Sequence, residues 1–162
     1  MKKTYLVDTF KAAVSITTAL FSLTIVISLI IIHRFGSAAV FFLIGLIFIK
    51  PMLTYAAFVS VDQTGIRLSL PWKTLKSFTW DEIAEVGVAG TKLFARKDSK
   101  NTGSLYIYIS DIAFTDEERF NMMLNWPPKN MIFLTYSKQR LDQIQMRFSN
   151  KIQTYNAGDI HL

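Results

Sequence analysis

Cysteine is absent from these 162 residues. Its absence removes disulfides, thiolate metal ligands and thiol nucleophiles together, and it suits a reducing compartment. Histidine is almost absent as well, with His33 and His161 the only two. One lies between two apolar runs and the other far down the chain, so neither a His-based triad nor a zinc site is expected. A phosphate-binding loop is missing too: Gly87 and Gly90 lack both the spacing and the Lys-Ser/Thr of a P-loop. Acidic residues are scarce near the start. Residues 1–55 carry five Lys/Arg against Asp8 alone, giving +4, whereas residues 56–162 carry thirteen against eleven, giving +2. Most of the net +6 therefore borders apolar sequence rather than forming a nucleic-acid footprint, and no nucleic-acid partner is expected.

What the chain has in abundance is apolar length. Ala12 to Ile32 holds no charged residue, and roughly 20 residues at ~1.5 Å each span a ~30 Å hydrocarbon core. A secretory signal has a shorter apolar region, about 7–15 residues, with Ser37-Ala38-Ala39 the alternative cleavage point here. A second run, Ala38 to Ile49, follows after only His33-Arg34-Phe35-Gly36-Ser37. It is short for a span, but the Lys50 stem can lie along the helix while its ammonium reaches the headgroups. Met52, Leu53, Tyr55 and Phe58 supply interfacial material beyond Pro51. Neither run has a polar face wide enough to meet water, so a transmembrane hairpin is expected, with helices about 12–32 and 38–54. Ser15, Thr18 and Ser22 recur at helical spacing on the first helix, and Gly45 offers a close-approach point on the second.

Lys2, Lys3 and Lys11 precede the first run and Lys50 follows the second, while the connection carries Arg34 alone. This bias predicts a multi-pass protein of the cell membrane with both termini in the cytoplasm. About 100 residues remain, enough for one modest domain over 55–153, with 154–162 a loose polar tail.

Within that domain, Tyr55–Val61 and Ile66–Leu70 read as a strand pair around Asp62-Gln63-Thr64-Gly65, with Gly65 available for positive φ. Pro71 stops the second strand, and Trp72–Ser77 reads as a polar connection. Phe78-Thr79-Trp80-Asp81-Glu82-Ile83 alternates like a strand running into Val86 and Val88, although Thr79 and Glu82 also have capping-box spacing. Leu93 and Phe94 suggest a further strand, Arg96–Gly103 a charged turn, and Ser104–Ser110 the clearest strand of the chain. Thr115-Asp116-Glu117-Glu118 opens a short helix with Phe120, Met123 and Leu124 on its apolar side, ended by Trp126-Pro127-Pro128. Met131–Tyr136 is another strand. Ser137 opens a last amphipathic helix with Leu141, Ile144, Phe148 and Ile152 on one face. The fold class is α+β.

A hairpin of membrane helices, the Val61-Asp62-Gln63-Thr64-Gly65-Ile66 turn, the Phe78-Thr79-Trp80-Asp81-Glu82-Ile83 segment, further strands and a closing helix together resemble the bacterial pleckstrin-homology-like (PH-like) membrane proteins. The resemblance covers about residues 55–153. It implies a bent antiparallel sheet or barrel capped by a C-terminal helix, and a binding or scaffold role rather than an enzyme. No cofactor and no small-molecule substrate are expected. Inositol-lipid binding in the wider superfamily uses a basic first hairpin loop, from which the short, acidic Asp62-Gln63-Thr64-Gly65 departs. The arrangement also resembles immunity proteins against membrane-active bacteriocins, the alternative function.

Two candidate surfaces emerge, each with a plainer reading. Lys92, Arg96, Lys97 and Lys100, extended by Lys73 and Lys76, form a basic set that anionic lipid would attract; otherwise they are solvated. Met122, Met123, Trp126, Pro127 and Pro128 form a corner suited to docking a membrane protein partner or a second copy; otherwise it packs the domain's own core. Asp81, Glu82 and Glu85 have the chemistry for a cation or for acid–base work, but carboxylates in such places usually face solvent or cap a helix.

Overall fold

The computed structural model describes residues 2–91 and 104–155. Strand β1 (Lys3–Leu6) is followed by the long helices α1 (Thr9–Ile31) and α2 (Phe35–Tyr55). Then come β2 (Phe58–Val61), β3 (Gly65–Leu70), β4 (Lys73–Thr79), a 3-10 turn at Trp80–Glu82, and β5 (Glu85–Gly90). Strand β6 (Leu105–Ser110), α3 (Asp116–Leu124), β7 (Ile132–Thr135), α4 (Lys138–Gln145) and β8 (Gln153–Tyr155) complete the described chain. The chain divides into two compact units. Leu6–Ala57 forms one, and the residues up to Tyr5 join those from Phe58 onward in the other.

In the first unit, both helices are long and apolar enough to cross a membrane. At ~1.5 Å per residue each exceeds ~30 Å. Their outward side chains include Phe21, Leu23, Ile27, Phe42, Leu43 and Ile47, all at least half exposed. Asp8 caps α1, its carboxylate accepting from the Lys11 N–H at 2.9 Å. The loop between the helices is shorter than the apolar runs suggest, because α2 begins at Phe35. His33 ends α1 at φ 58°. Its N–H donates to the Ile30 carbonyl at 3.0 Å and the Arg34 N–H to that of Leu29 at 2.8 Å, a Schellman closure with His where Gly is usual. The helices meet along Ala12, Ser15, Ser22 and Val26. Ser22 donates to the Phe41 carbonyl at 2.6 Å, and a Cβ on Gly45 would lie 3.0 Å from Ser22 Oγ. Thr18 bonds its own helix at the Val14 carbonyl instead.

The second unit contains two four-stranded sheets, ordered β1-β2-β3-β4 and β7-β6-β5-β8. Strands β2 and β7 lie against each other and bring the sheets together. The β2–β3 turn is built by Asp62. One of its carboxylate oxygens accepts from Thr64 N–H (2.9 Å), Thr64 hydroxyl (2.6 Å) and Gly65 N–H (3.1 Å). The Trp80 indole N–H fixes the turn from outside, donating to the Asp62 carbonyl at 3.1 Å. Gly65 is needed for close approach and not for positive φ: a Cβ there would stand 1.9 Å from the Phe78 carbonyl oxygen.

Several expectations are corrected. Residues 73–77, read as part of the polar connection Trp72–Ser77, belong with Phe78 and Thr79 to strand β4, paired with β3 from Leu70↔Lys73 to Gly65↔Thr79. Its alternation is obscured by a bulge opposite Leu68 and Ser69. The capping-box alternative holds at Thr79, where Glu82 receives the Thr79 N–H at 2.8 Å. In α3 the buried pair is Met122 and Met123, while Phe120 and Leu124 are 38% and 50% exposed. The last helix ends at Gln145, so Phe148 and Ile152 reach the core from non-helical backbone. The chain then returns as β8, parallel to β5 at Gly87↔Gln153 to Ala89↔Tyr155, where a polar tail was expected. Leu93, Phe94 and the 96–103 turn lie outside the described residues.

Sheet β7-β6-β5-β8 explains why β5 is buried throughout. Val86 and Val88 pair with Ile109 and Ile107, and Ile107 and Ile109 with Leu134 and Ile132, giving one apolar face. On the other, Glu85, Gly87 and Ala89 pair with Ser110, Tyr108 and Tyr106. That face is covered by Met122 and Met123 of α3 together with Phe114, Trp126, Met131 and Tyr155. Both faces are buried, so polar residues within these strands must find internal partners.

Candidate functional site

The most concentrated polar chemistry lies on this second face. Glu85, 4% exposed, receives four hydrogen bonds. Oε1 accepts from the Tyr108 hydroxyl at 2.6 Å and from Arg119 Nε at 2.9 Å. Oε2 accepts from Arg119 Nη2 and from the Phe114 N–H, both at 2.8 Å. Arg119 also donates from Nη1 to Asp116 at 2.8 Å. Burial pushes the Glu85 carboxyl up, but the bonds from Arg119, Phe114 and Tyr108 outweigh it and leave the group below the ordinary carboxylate range. Burial and the neighbouring carboxylate push the Tyr108 phenol up. A carboxylate so fully occupied has no lone pair aimed at a substrate. It ties α3 to β5, which is a different role from the solvent-facing or capping one its residue type suggested.

The signal was present in the sequence. Glu85 interrupts the otherwise apolar sequence Ile83 to Val88, and Arg119 is the one cation in the Asp116–Leu124 helix. Asp81 is exposed, and Glu82 serves the cap at Thr79. No group of three or more His, Asp or Glu able to hold a metal occurs among the described residues.

Of the docking corner, Met122 and Met123 are 8% and 3% exposed and belong to the core. Trp126 packs at a tilt against Tyr106, 4.9 Å between ring centres, and meets the Phe133 ring edge-on at 5.2 Å. Its indole N–H is buried with no hydrogen-bond partner. Pro127, joined to Trp126 by a cis peptide bond, and Pro128 are half-buried. Beside the corner opens a groove of about 430 Å³. Asn121, Asn125, Asp111 and Lys129 give it hydrogen-bonding and charged groups, and Met122 and Met131 give it apolar lining.

The basic set is only partly in view. Lys73 is exposed on β4. Lys76, two residues short of Phe78, donates to the Asn130 carbonyl and lies 4.7 Å over the Phe78 ring. It is engaged within the domain. Lys92, Arg96, Lys97 and Lys100 lie outside the described residues. In the first hairpin loop, the hydrogen bond from Thr64 holds the Asp62 carboxyl below its ordinary range.

No protein-family model, no curated protein and no solved structure matches this chain.

Proposed function

We propose that the protein is a membrane-anchored, non-enzymatic interaction or scaffold protein, its α+β unit a PH-like module at the cytoplasmic face. The observation that carries this reading is that β1 and β2, the segments on either side of the helical hairpin, are neighbours in one sheet. Chain that enters and leaves the hairpin from adjacent strands must lie on one side of any bilayer the hairpin crosses. The cations at Lys2, Lys3, Lys11 and Lys50 favour the cytoplasm for that side. Two antiparallel meanders followed by a helix support the PH-like reading. Helix α3 between β6 and β7, and the two-turn length of α4, depart from it. A domain whose central carboxylate is saturated by its own donors, beside an open mixed groove, favours binding a membrane protein partner over catalysis.

The absence of cysteine makes the test direct. In intact cells, a membrane-impermeant thiol reagent is expected to label Arg34→Cys, and to label Ser149→Cys only after permeabilisation. Labelling of Ser149→Cys from outside would overturn the orientation, and release of the protein by alkaline carbonate would overturn the anchor.

A further inference from the structure

Among the described residues outside the long helices, Trp72 is one of the most exposed large apolar side chains, at 72%. It stands with Pro71 in the two-residue turn between β3 and β4. Lys73 follows, exposed, and Leu75, in the bulge, is 46% exposed. A tight turn needs no indole, and leaving one in water forgoes its burial.

The strand register says where this turn sits within its sheet. Phe58 pairs with Ser69 and Leu70 with Lys73. The Pro71–Trp72 turn therefore extends two to three residues past Phe58, or ~7–10 Å at ~3.3 Å per residue. That is the end from which the chain departs, since only Ala56 and Ala57 separate Phe58 from α2 and only Val7 and Asp8 separate β1 from α1. Along the chain, two residues reach at most ~7 Å. Around those links the hairpin carries interfacial side chains: Lys11, 5.0 Å over the Tyr55 ring, and Lys50. Trp, Tyr and Lys are the side chains that favour headgroup level, an apolar body with a polar tip.

We infer that the Pro71–Trp72 turn, with Leu75 behind it and Lys73 at its rim, inserts into the headgroup–acyl boundary of the bilayer that holds the hairpin. It makes a third attachment, contributed by the folded domain itself. This rests on the membrane anchorage proposed above. The turn differs from the acidic β2–β3 loop, whose Asp62 is committed to its own backbone. It also needs no specific headgroup, because the recognition is by an apolar wedge and a single cation.

The test uses the full-length protein in vesicles of phosphatidylcholine. Subtracting the emission of Trp72→Phe from that of the native chain isolates Trp72 from Trp80 and Trp126. The inference expects a blue-shifted difference spectrum, quenched by lipids brominated near the headgroup end of the acyl chains and shielded from aqueous acrylamide. Trp72→Cys carrying an environment-sensitive dye, in a chain without other cysteines, should report the same depth. A difference spectrum typical of water, open to acrylamide and untouched by brominated lipid, overturns the inference, and a turn made for a protein groove gives this result. A carbonate wash of the same vesicles separates the two failures. If the protein stays bound while Trp72 is wet, the turn inference alone is lost; if the protein washes off, the anchorage is lost with it.

Discussion

Arg119 closes over Glu85 with two parallel hydrogen bonds, Nε to Oε1 at 2.9 Å and Nη2 to Oε2 at 2.8 Å, joining α3 to β5. Both side chains are almost out of water, 11% and 5% exposed. Removing one partner from such a pair leaves a buried charge alone, which costs ~3–5 kcal/mol. Arg119→Met is accordingly expected to lower the thermal unfolding midpoint of the detergent-solubilised protein steeply. Arg119→Lys keeps the charge but loses the fork, and should fall between the two. The double variant Glu85→Leu/Arg119→Met should recover much of the loss. Equal midpoints for Arg119→Met and the native chain would show that the pair is dispensable.

The same carboxylate sets a pH dependence. Because the Glu85 carboxyl is lowered in the fold, its stabilisation is complete above the unfolded value, ~4.3. It is lost as pH falls through the folded value, since the unfolded chain then binds the proton more readily. Unfolding midpoints measured from pH 7 downward should therefore drop on the acid side. Glu85→Gln should start lower and fall less. A residual slope will remain, because Asp62, Glu82 and Glu118 are also lowered by hydrogen bonds from their own turns and caps. Parallel curves for the native chain and Glu85→Gln would remove Glu85 from the acid response.

Gly87 is the floor on which this network stands. It pairs with Tyr108 across β5 and β6, and a Cβ at Gly87 would lie 2.3 Å from the Tyr108 ring and hydroxyl. The ring shares a buried cluster with Met122 and Met123, so moving it disturbs the core. Gly87→Ala should cost ~1–3 kcal/mol for overpacking, and more if the Tyr108 bond to Glu85 breaks. Tyr108→Phe in the same background removes the hydroxyl but not the ring, and should relieve only part of the loss. Unchanged stability of Gly87→Ala would mean that the ring has another place to go.

Much of this architecture was legible in residue order, and the misses have identifiable causes. The long apolar runs, the Thr115–Glu118 capping box and the Leu105–Ser110 strand declare themselves locally, because lipid-length apolarity, caps and β-branched runs need no distant partner. Strand β1 did not. Lys3-Thr4-Tyr5-Leu6 precedes a long apolar run, so Lys3, like Lys2, reads only as an orientation signal. Its strand character depends on pairing with β2, which follows only after the whole helical hairpin, and on Tyr5 donating to Gln143, with the Arg140 guanidinium 5.1 Å from the ring. Strand β4 was hidden by its bulge, and Glu85 by a rule that holds for carboxylates on sheets with one wet face. Here neither face is wet.

Trp126 tests whether the corner after α3 serves the fold or a partner. Its ring packs against both Tyr106 and Phe133, which also touch each other, an arrangement that supplies packing, while its unpartnered N–H subtracts from it. Trp126→Ala removes the packing, and ~3–5 kcal/mol of destabilisation is expected for such a large-to-small change in a core. Trp126→Phe keeps most of the packing and deletes the N–H, whose burial without a partner costs ~1–3 kcal/mol. The two effects oppose each other, and the unfolding midpoint should move little in either direction. A residue held out for docking would behave otherwise, with both variants as stable as the native chain and only partner capture impaired. Thermal unfolding of the three proteins in the same detergent separates the two outcomes. Full stability of Trp126→Ala would return the corner to the surface.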